Sequence, residues 1–223
     1  MRWPADDAEL ERAQAELAGA PPAPWRAVGA PLVAGCFVCF PRGSAGAGAS
    51  GDPAWAAAAT ATGPPAVVRG AAGAPYRPGR LALREGPLLE AAVRALAERP
   101  DVLLVDATGR DHPRRAGLAL HLGAVLDLPT VGVTHRPLLA SGDWPAPERG
   151  ASAPLRLGGG EEVGAWLRVA ARRRPLAVHA GWRTDVATAI AIVLAATTRR
   201  ARTPEPLRRA RHAARVARAG DRG

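Results

Sequence analysis

Apolar positions along this chain recur with two different periods. Between Ala5 and Ala18, Leu10, Ala13 and Leu17 stand at helical spacing among Asp, Glu and Arg, which predicts an amphipathic helix laid as a cover on a core. A Pro- and Ala-rich linker, Gly19 to Pro31, follows. Leu32 to Phe40 (LVAGCFVCF) is continuously apolar and bounded by prolines, the pattern of a strand buried on both faces. Trp55 to Thr62 and Ala66 to Arg69 are shorter strands across Gly-Pro-Pro, so the three predict an antiparallel meander. The intervening PRGSAGAGASGDP is Gly/Ser-rich and reads as a mobile loop.

The second half alternates. A helix is predicted over about Leu81 to Ala97, with Pro87 marking the start of its regular part, since proline is tolerated at a helix N-terminus. Val102 to Val105 is an aliphatic strand that delivers Asp106 at its C-terminal end. Burying that carboxylate unpaired would cost several kcal/mol, so Asp106 requires a cation. A polar loop, an aliphatic helix and a strand at Leu128 to Val133 complete a βαβ unit whose loop opens where α/β proteins place their sites. Leu138 to Gly150 reads as a loop. Ala153 to Leu157 and Glu162 to Val169 form a hairpin across three glycines. Pro175 to His179 is a last strand, before a helix capped by Thr184 and running to about Thr198.

Composition adds a partner class. The chain of 223 residues carries a net charge of +10, and every basic residue behind it other than His is Arg. That balance suits a polyanion, because the guanidinium fork binds phosphate bidentately, although a GC-rich genome would also favour Arg. Nine arginines lie between Arg199 and Arg222, readable either as a phosphate-tracking helix or as a solvated tail. Residues 1–213 are taken as a single domain and 214–223 as a disordered basic tail. No apolar run approaches the ~20 residues of a membrane span, and the start has no signal-peptide core, so a cytoplasmic monomer is expected. Cys36 and Cys39 form a CxxC without a second pair; period 2 sends them to opposite faces, as buried small hydrophobes rather than a redox or zinc motif.

The runs VDATGRDHPRRAG and PTVGVTHR resemble the central block of the endonuclease V family, V-D-G-H-G-x-x-H-P-R-R-x-G followed by P-T-I-G-V-A-K-K. The resemblance extends from Val33-Ala34-Gly35 to TPEPLRRA near Ala210. It implies an RNase H-like α/β fold: a mixed central sheet, the three-strand meander first, helices on both faces. It also implies hydrolysis of one phosphodiester bond near a deaminated purine, deoxyinosine or inosine, in DNA and in some members RNA. The cofactor would be Mg²⁺ or Mn²⁺ held by carboxylates, which activates water and steadies the leaving oxygen.

Carried over residue by residue, the metal ligands are Asp106 and Glu85, and His135 stands at the basic helper position. Pro75-Tyr76-Arg77-Pro78 matches the wedge that fills the gap of a flipped base. Gly79, Leu81 and Gly109 fall at the base pocket, and His112, Arg114 and Arg115 are intact. Arg77 stands in place of an apolar residue of the wedge and His135 in place of a Lys, and further positions depart from the pattern. Phe37 stands where the first strand carries a metal-binding Asp, and Thr108 replaces a His. In the last helix segment Trp182 replaces a His and Ala187 an Asp. Asp185 nearby reads either as a displaced ligand or as a favourable charge against the helix dipole. Glu85 reads alternatively as a solvated ion-pair partner of Arg84 or another Arg. Phe37 and Trp182 are expected to pack together, as two aromatics filling one cleft. Two functions remain: a Mg²⁺-dependent endonuclease with impaired catalysis, or an inactive relative that binds nucleic acid as an accessory protein.

Overall fold

The computed structural model describes residues 1–19, 22–41 and 48–221. The chain opens with α1 (Asp7–Ala18), capped by the Asp6 carboxylate, which accepts from Glu9 N at 2.8 Å. β1 (Val33–Cys39), β2 (Pro53–Thr60) and β3 (Ala66–Ala71) form the antiparallel meander. Part of the loop predicted to be mobile, residues 42–47, lies outside the described residues. α2 (Leu81–Arg94) leads to β4 (Val102–Val105), which pairs in parallel with β1. α3 (Leu118–Leu126) returns the chain to β5 (Thr130–Thr134), parallel to β4. The hairpin of β6 (Ser152–Arg156) and β7 (Glu162–Leu167) precedes β8 (Leu176–Ala180), α4 (Val186–Ala195) and α5 (Glu205–Gly220). One mixed sheet in the order β3-β2-β1-β4-β5-β8-β7-β6 results.

Strand β4 shows why four aliphatics in a row make the centre of the sheet. Leu103 and Val105 join α2 and α3 in one core, with Leu10 of α1. Val102 and Leu104 face the other way, into a core with α4 and Leu207 of α5. Both faces are thus covered, as the period-2 pattern requires. The cysteines divide likewise: Cys36 lies in the first core, and Cys39 packs with Trp55, Ala57 and Ala214 under α5. The small residues of β2 let α5 approach closely. A Cβ on Gly35 would meet Leu207 N at 2.5 Å, so only glycine admits the start of α5 there.

Three expectations are corrected. Pro87 lies inside α2, which begins at Leu81 rather than near the proline. Pro87 cannot donate to the Leu83 carbonyl, and Gly73 N bonds the next carbonyl, that of Arg84, from outside the helix at 3.1 Å. The cap of α4 is Asp185, which accepts from Thr188 N at 2.7 Å, not Thr184. The Thr184 hydroxyl is spent on Thr130 O at 2.7 Å, tying the chain to β5. The third correction is the tail: α5 continues to Gly220, with Leu207, Ala210 and Ala214 buried at helical spacing. Alanines give a weak hydrophobic signal, yet they seat this helix on β1 and β2. Among the described residues no helix is long and apolar enough to cross a membrane.

Candidate active site

Asp106 stands just past the end of β4, half-buried, in the cleft between α2 and α5. Its required cation is Arg211. The Arg211 Nη2 donates to Asp106 Oδ2 at 2.8 Å, from a helix 105 residues further along the chain. Arg211 follows the buried Ala210 and lies four residues from Leu207, so it flanks the stripe that α5 presses on the sheet. Its guanidinium carbon stands 5.2 Å from the centre of the Phe37 ring, and that of Arg215 stands 5.7 Å away. A cation over an aromatic face is a favourable pairing, so Phe37 and Asp106 together hold Arg211 in place.

Glu85 comes to the same cavity, of about 220 Å³, whose lining includes Phe37, Tyr76, Leu89, Val105 and Asp106. Asp106 and Glu85 therefore line one cavity. Loss of water pushes the Glu85 pKa up to about 7; Arg84 pulls it down and the Asp106 charge adds to the rise. Arg84 does not pair with Glu85. It is buried, stands 4.1 Å over the Phe40 ring, and donates to Asp52 and to the carbonyls of Ala49 and Ala74. Its task is to clamp the segment that leads into Pro75 and Tyr76.

Tyr76 is 44% exposed and lines this cavity and a second one, of about 190 Å³, on the other side of Asp106. The second cavity is walled by Pro78, Gly79, Leu81, Ala107, Thr108 and Leu118, with Gln14, His112 and Leu138 at its margins. Gly79 holds a φ of 77°. Its carbonyl receives His112 Nε2 at 3.1 Å and Gln14 Nε2 at 3.3 Å. Arg114 N donates to His112 Nδ1, which fixes the proton on Nε2, and burial pushes the His112 pKa down, so the ring is neutral. Gln14 also donates to Ala116 O at 3.1 Å. His112 and Gln14 thus fasten the two loops of the pocket to each other. Gly109 stands elsewhere: a Cβ there would meet Ala180 O at 2.0 Å, so it lets the loop after Asp106 cross β8 rather than line the pocket.

The outer wall of the second cavity hangs on Asp111. This fully buried carboxylate accepts the backbone N–H groups of Leu138, Leu139 and Ala140 at 2.6, 2.7 and 2.8 Å. His179 Nδ1 lies 4.0 Å from Asp111, and its Nε2 meets Thr134 Oγ1 at 3.1 Å. Burial pushes the His179 pKa down to about 4, so it stays neutral.

The arginines expected at the substrate-binding positions are engaged elsewhere. Arg77 pairs with Asp7 at 2.5 Å, Arg114 with Glu11 at 2.6 Å and Arg115 with Glu161. Two of these carboxylates belong to α1, which neutralises the basic rim beside Tyr76. His135 is exposed at the end of β5, and burial together with the charges of Arg202 and Arg211 lowers its pKa.

Phe37 and Trp182 do not pack together. Phe37 belongs to the cluster under α5, and Trp182 to one with Leu17, Ala116, Leu120 and Ala124. Strand direction gives the reason. Trp182 O accepts from Thr130 N at the start of β5, whereas Asp106 lies three residues further on, at the other end of the parallel strands, about 10 Å away at ~3.3 Å per residue. Asp185 shares the far edge, where it caps α4 and pairs with Arg26 at 2.7 Å.

A divalent ion does not fit the residues present. Phe37 offers it nothing, Asp106 is held by Arg211, and Glu85 is the sole further carboxylate of the cavity. Among the described residues no group of three metal-binding side chains converges. Sequence reasoning missed Arg211, Gln14 and Asp111. Gln14 could have been found, because it interrupts the apolar face of α1 between Leu10 and Leu17.

A family model described as Endonuclease V matches residues 28–212. The Endonuclease V of Streptomyces avermitilis is 46% identical over 136 residues, 61% of this chain; the match spans 58% of that protein's length. A crystal structure of the endonuclease V from Streptomyces avermitilis covers 99% of this chain and 96% of its own, with 36% identity and a TM-score of 0.85. The Ciona intestinalis Endonuclease V in complex with a 24mer DNA containing an inosine followed by a ribo-adenosine shares the fold at a TM-score of 0.77 and 21% identity, covering 96% of this chain and 98% of its own.

Proposed function

The chain belongs to the endonuclease V family and has its RNase H-like fold, and from that premise we propose that it binds nucleic acid at a deaminated purine, with hydrolysis impaired. The observation that carries this reading is the position of Tyr76, half-exposed between an apolar pocket and the cavity that holds Asp106. A base flipped out of its stack costs a few kcal/mol, offset when a ring fills its place and a pocket encloses the base. Tyr76, stiffened by Pro75 and by Pro78 two residues on, offers the ring. The pocket around Gly79, Leu81 and Leu118 offers apolar walls and main-chain groups, which suit the neutral edge of hypoxanthine. The inosine-containing DNA of the Ciona intestinalis complex supports the substrate class.

The chemistry is weaker than the recognition. Glu85, with a pKa of about 7, can hold or release a proton toward the cleft at neutral pH. Asp106 is turned to Arg211, and the Mg²⁺ or Mn²⁺ expected from the resemblance meets an incomplete ligand set. We therefore rank this chain as a binding protein of repair with residual nuclease activity at most, a cytoplasmic monomer acting on DNA or RNA. The test incubates the purified protein with inosine-containing and control strands, with Mg²⁺ and with Mn²⁺, and scores binding and cleavage separately. Inosine strands should bind more tightly than controls, with little cleavage, and affinity should fall steeply with salt. Equal affinity for the two strands would refute base recognition; rapid cutting would refute the impairment.

A further inference from the structure

Asp106 is the one chemical feature of the central strand that demands a cation, and in this chain the cation is covalently attached. Arg211 reaches Asp106 at 2.8 Å and lies over Phe37, the residue at the family's first metal-ligand position. Among the described residues this is the only hydrogen bond the Arg211 side chain makes. A guanidinium carries five N–H donors, so most of its fork remains available to a second anion. Arg211 is also partly open to solvent, at 20% of its side chain, as is Asp106 at 28%. One turn further along α5, Arg215 is exposed and stands over the same ring, and its side chain makes no hydrogen bond or ion pair among the described residues. The Asp106 charge cancels that of Arg211, and Arg215 adds a further positive charge over the same ring, against the partly ionised Glu85.

We propose that Arg211, with Arg215, forms a phosphate-binding site that takes the place of a divalent metal, so that this chain holds a phosphodiester strand without any metal ion. The proposal rests on the reading that the cleft takes nucleic acid. It explains the substitution at Phe37. An Asp there would compete for Arg211 and rebuild a site for an ion, whereas a phenyl ring supports a guanidinium and offers a divalent ion no oxygen ligand. A phosphate arriving at the cleft meets the free N–H groups of Arg211, while Asp106 keeps the fork oriented. Since no bond is made or broken, this is a binding role only.

The test uses the full chain and a labelled inosine-containing strand, with affinity measured by fluorescence anisotropy at constant ionic strength in EDTA, in Mg²⁺ and in Mn²⁺. Wild type should bind within about twofold under all three conditions. Arg211→Gln should weaken binding in EDTA by roughly tenfold or more, the scale of a lost charge-assisted hydrogen bond. Part of that loss should return with Mn²⁺, because Asp106 is released. Calorimetry with Mn²⁺ alone should then show uptake by Arg211→Gln and none by wild type. Loss of wild-type affinity in EDTA, uptake of Mn²⁺ by wild type, or unchanged affinity of Arg211→Gln would each overturn the proposal. If Arg211→Gln fails to fold, the wild-type arms still decide it, and Arg211→Lys should retain binding in EDTA. Should wild type bind inosine and control strands equally but ignore EDTA, base recognition fails while the built-in cation stands.

Discussion

Replacing His121 by Leu should make the protein markedly more tolerant of acid. His121 lies wholly buried in α3, stacked on Trp3 with ring centres 4.9 Å apart, and neither ring nitrogen has a hydrogen-bond partner. Burial pushes its pKa from 6.5 down to about 4. The unfolded chain therefore binds a proton between these values while the folded chain does not, so stability is full above pH 6.5 and falls as pH drops toward 4. At about pH 5 the cost is about 2 kcal/mol for one such histidine, at 1.36 kcal/mol per pH unit. His179 is depressed as well, by burial, and acts in the same direction. His121→Leu removes the His121 share of the loss and two unsatisfied buried nitrogens. Urea unfolding of both proteins at about pH 7.5 and about pH 5 reads it: the variant should lose about 2 kcal/mol less on acidification, and be no less stable at the higher pH. Parallel losses would mean that His121 titrates normally and is reached by water.

Two further substitutions probe the walls of the site. Asp111→Ala strips three backbone N–H groups of their acceptor and should cost about 2–4 kcal/mol in denaturant unfolding; inosine-strand affinity should fall with it as Leu138 comes loose, and a cost under about 1 kcal/mol would show that water replaces the carboxylate. Gly35→Ala drives a methyl against the backbone of Leu207 and should destabilise by about 1–3 kcal/mol. Because α5 must shift, strand binding in EDTA should weaken beyond what stability explains; unchanged affinity would separate Arg211 from the seating of its helix.

Much of the fold was legible because its signals are local. VLLV between a helix and a polar loop, the three apolar runs of the meander, and the glycine-linked hairpin each declare themselves within a few residues. Pro87 and Thr184 misled because each is compatible with two positions, and a contact with a distant carbonyl decided between them: Arg84 O with Gly73, Thr130 O with Thr184. At the site, the need of Asp106 for a cation was readable, but its identity was not. Arg211 is one arginine among nine in its stretch, and only the seating of α5 on Gly35 and Ala57 selects it. Trp182 was misplaced for a related reason: a motif position fixes a place in the chain order, and strand direction decides which edge of the sheet that place occupies.

Helix α5 follows every strand in the chain, yet it covers β1 and β2, which are synthesised first. On the ribosome, the side of the sheet formed by Phe37, Cys39, Trp55 and Ala57 emerges long before the helix that shields it. For that interval a flat, alanine-rich face with two large aromatics is offered to water and to chaperones, and Asp106 waits without its counter-charge. A dissolved ion could reach a nascent site from the surrounding solvent, whereas a cation tethered to α5 can reach it only after translation has passed Arg211. The last helix therefore carries both the cover of this side of the sheet and the counter-charge of the cleft.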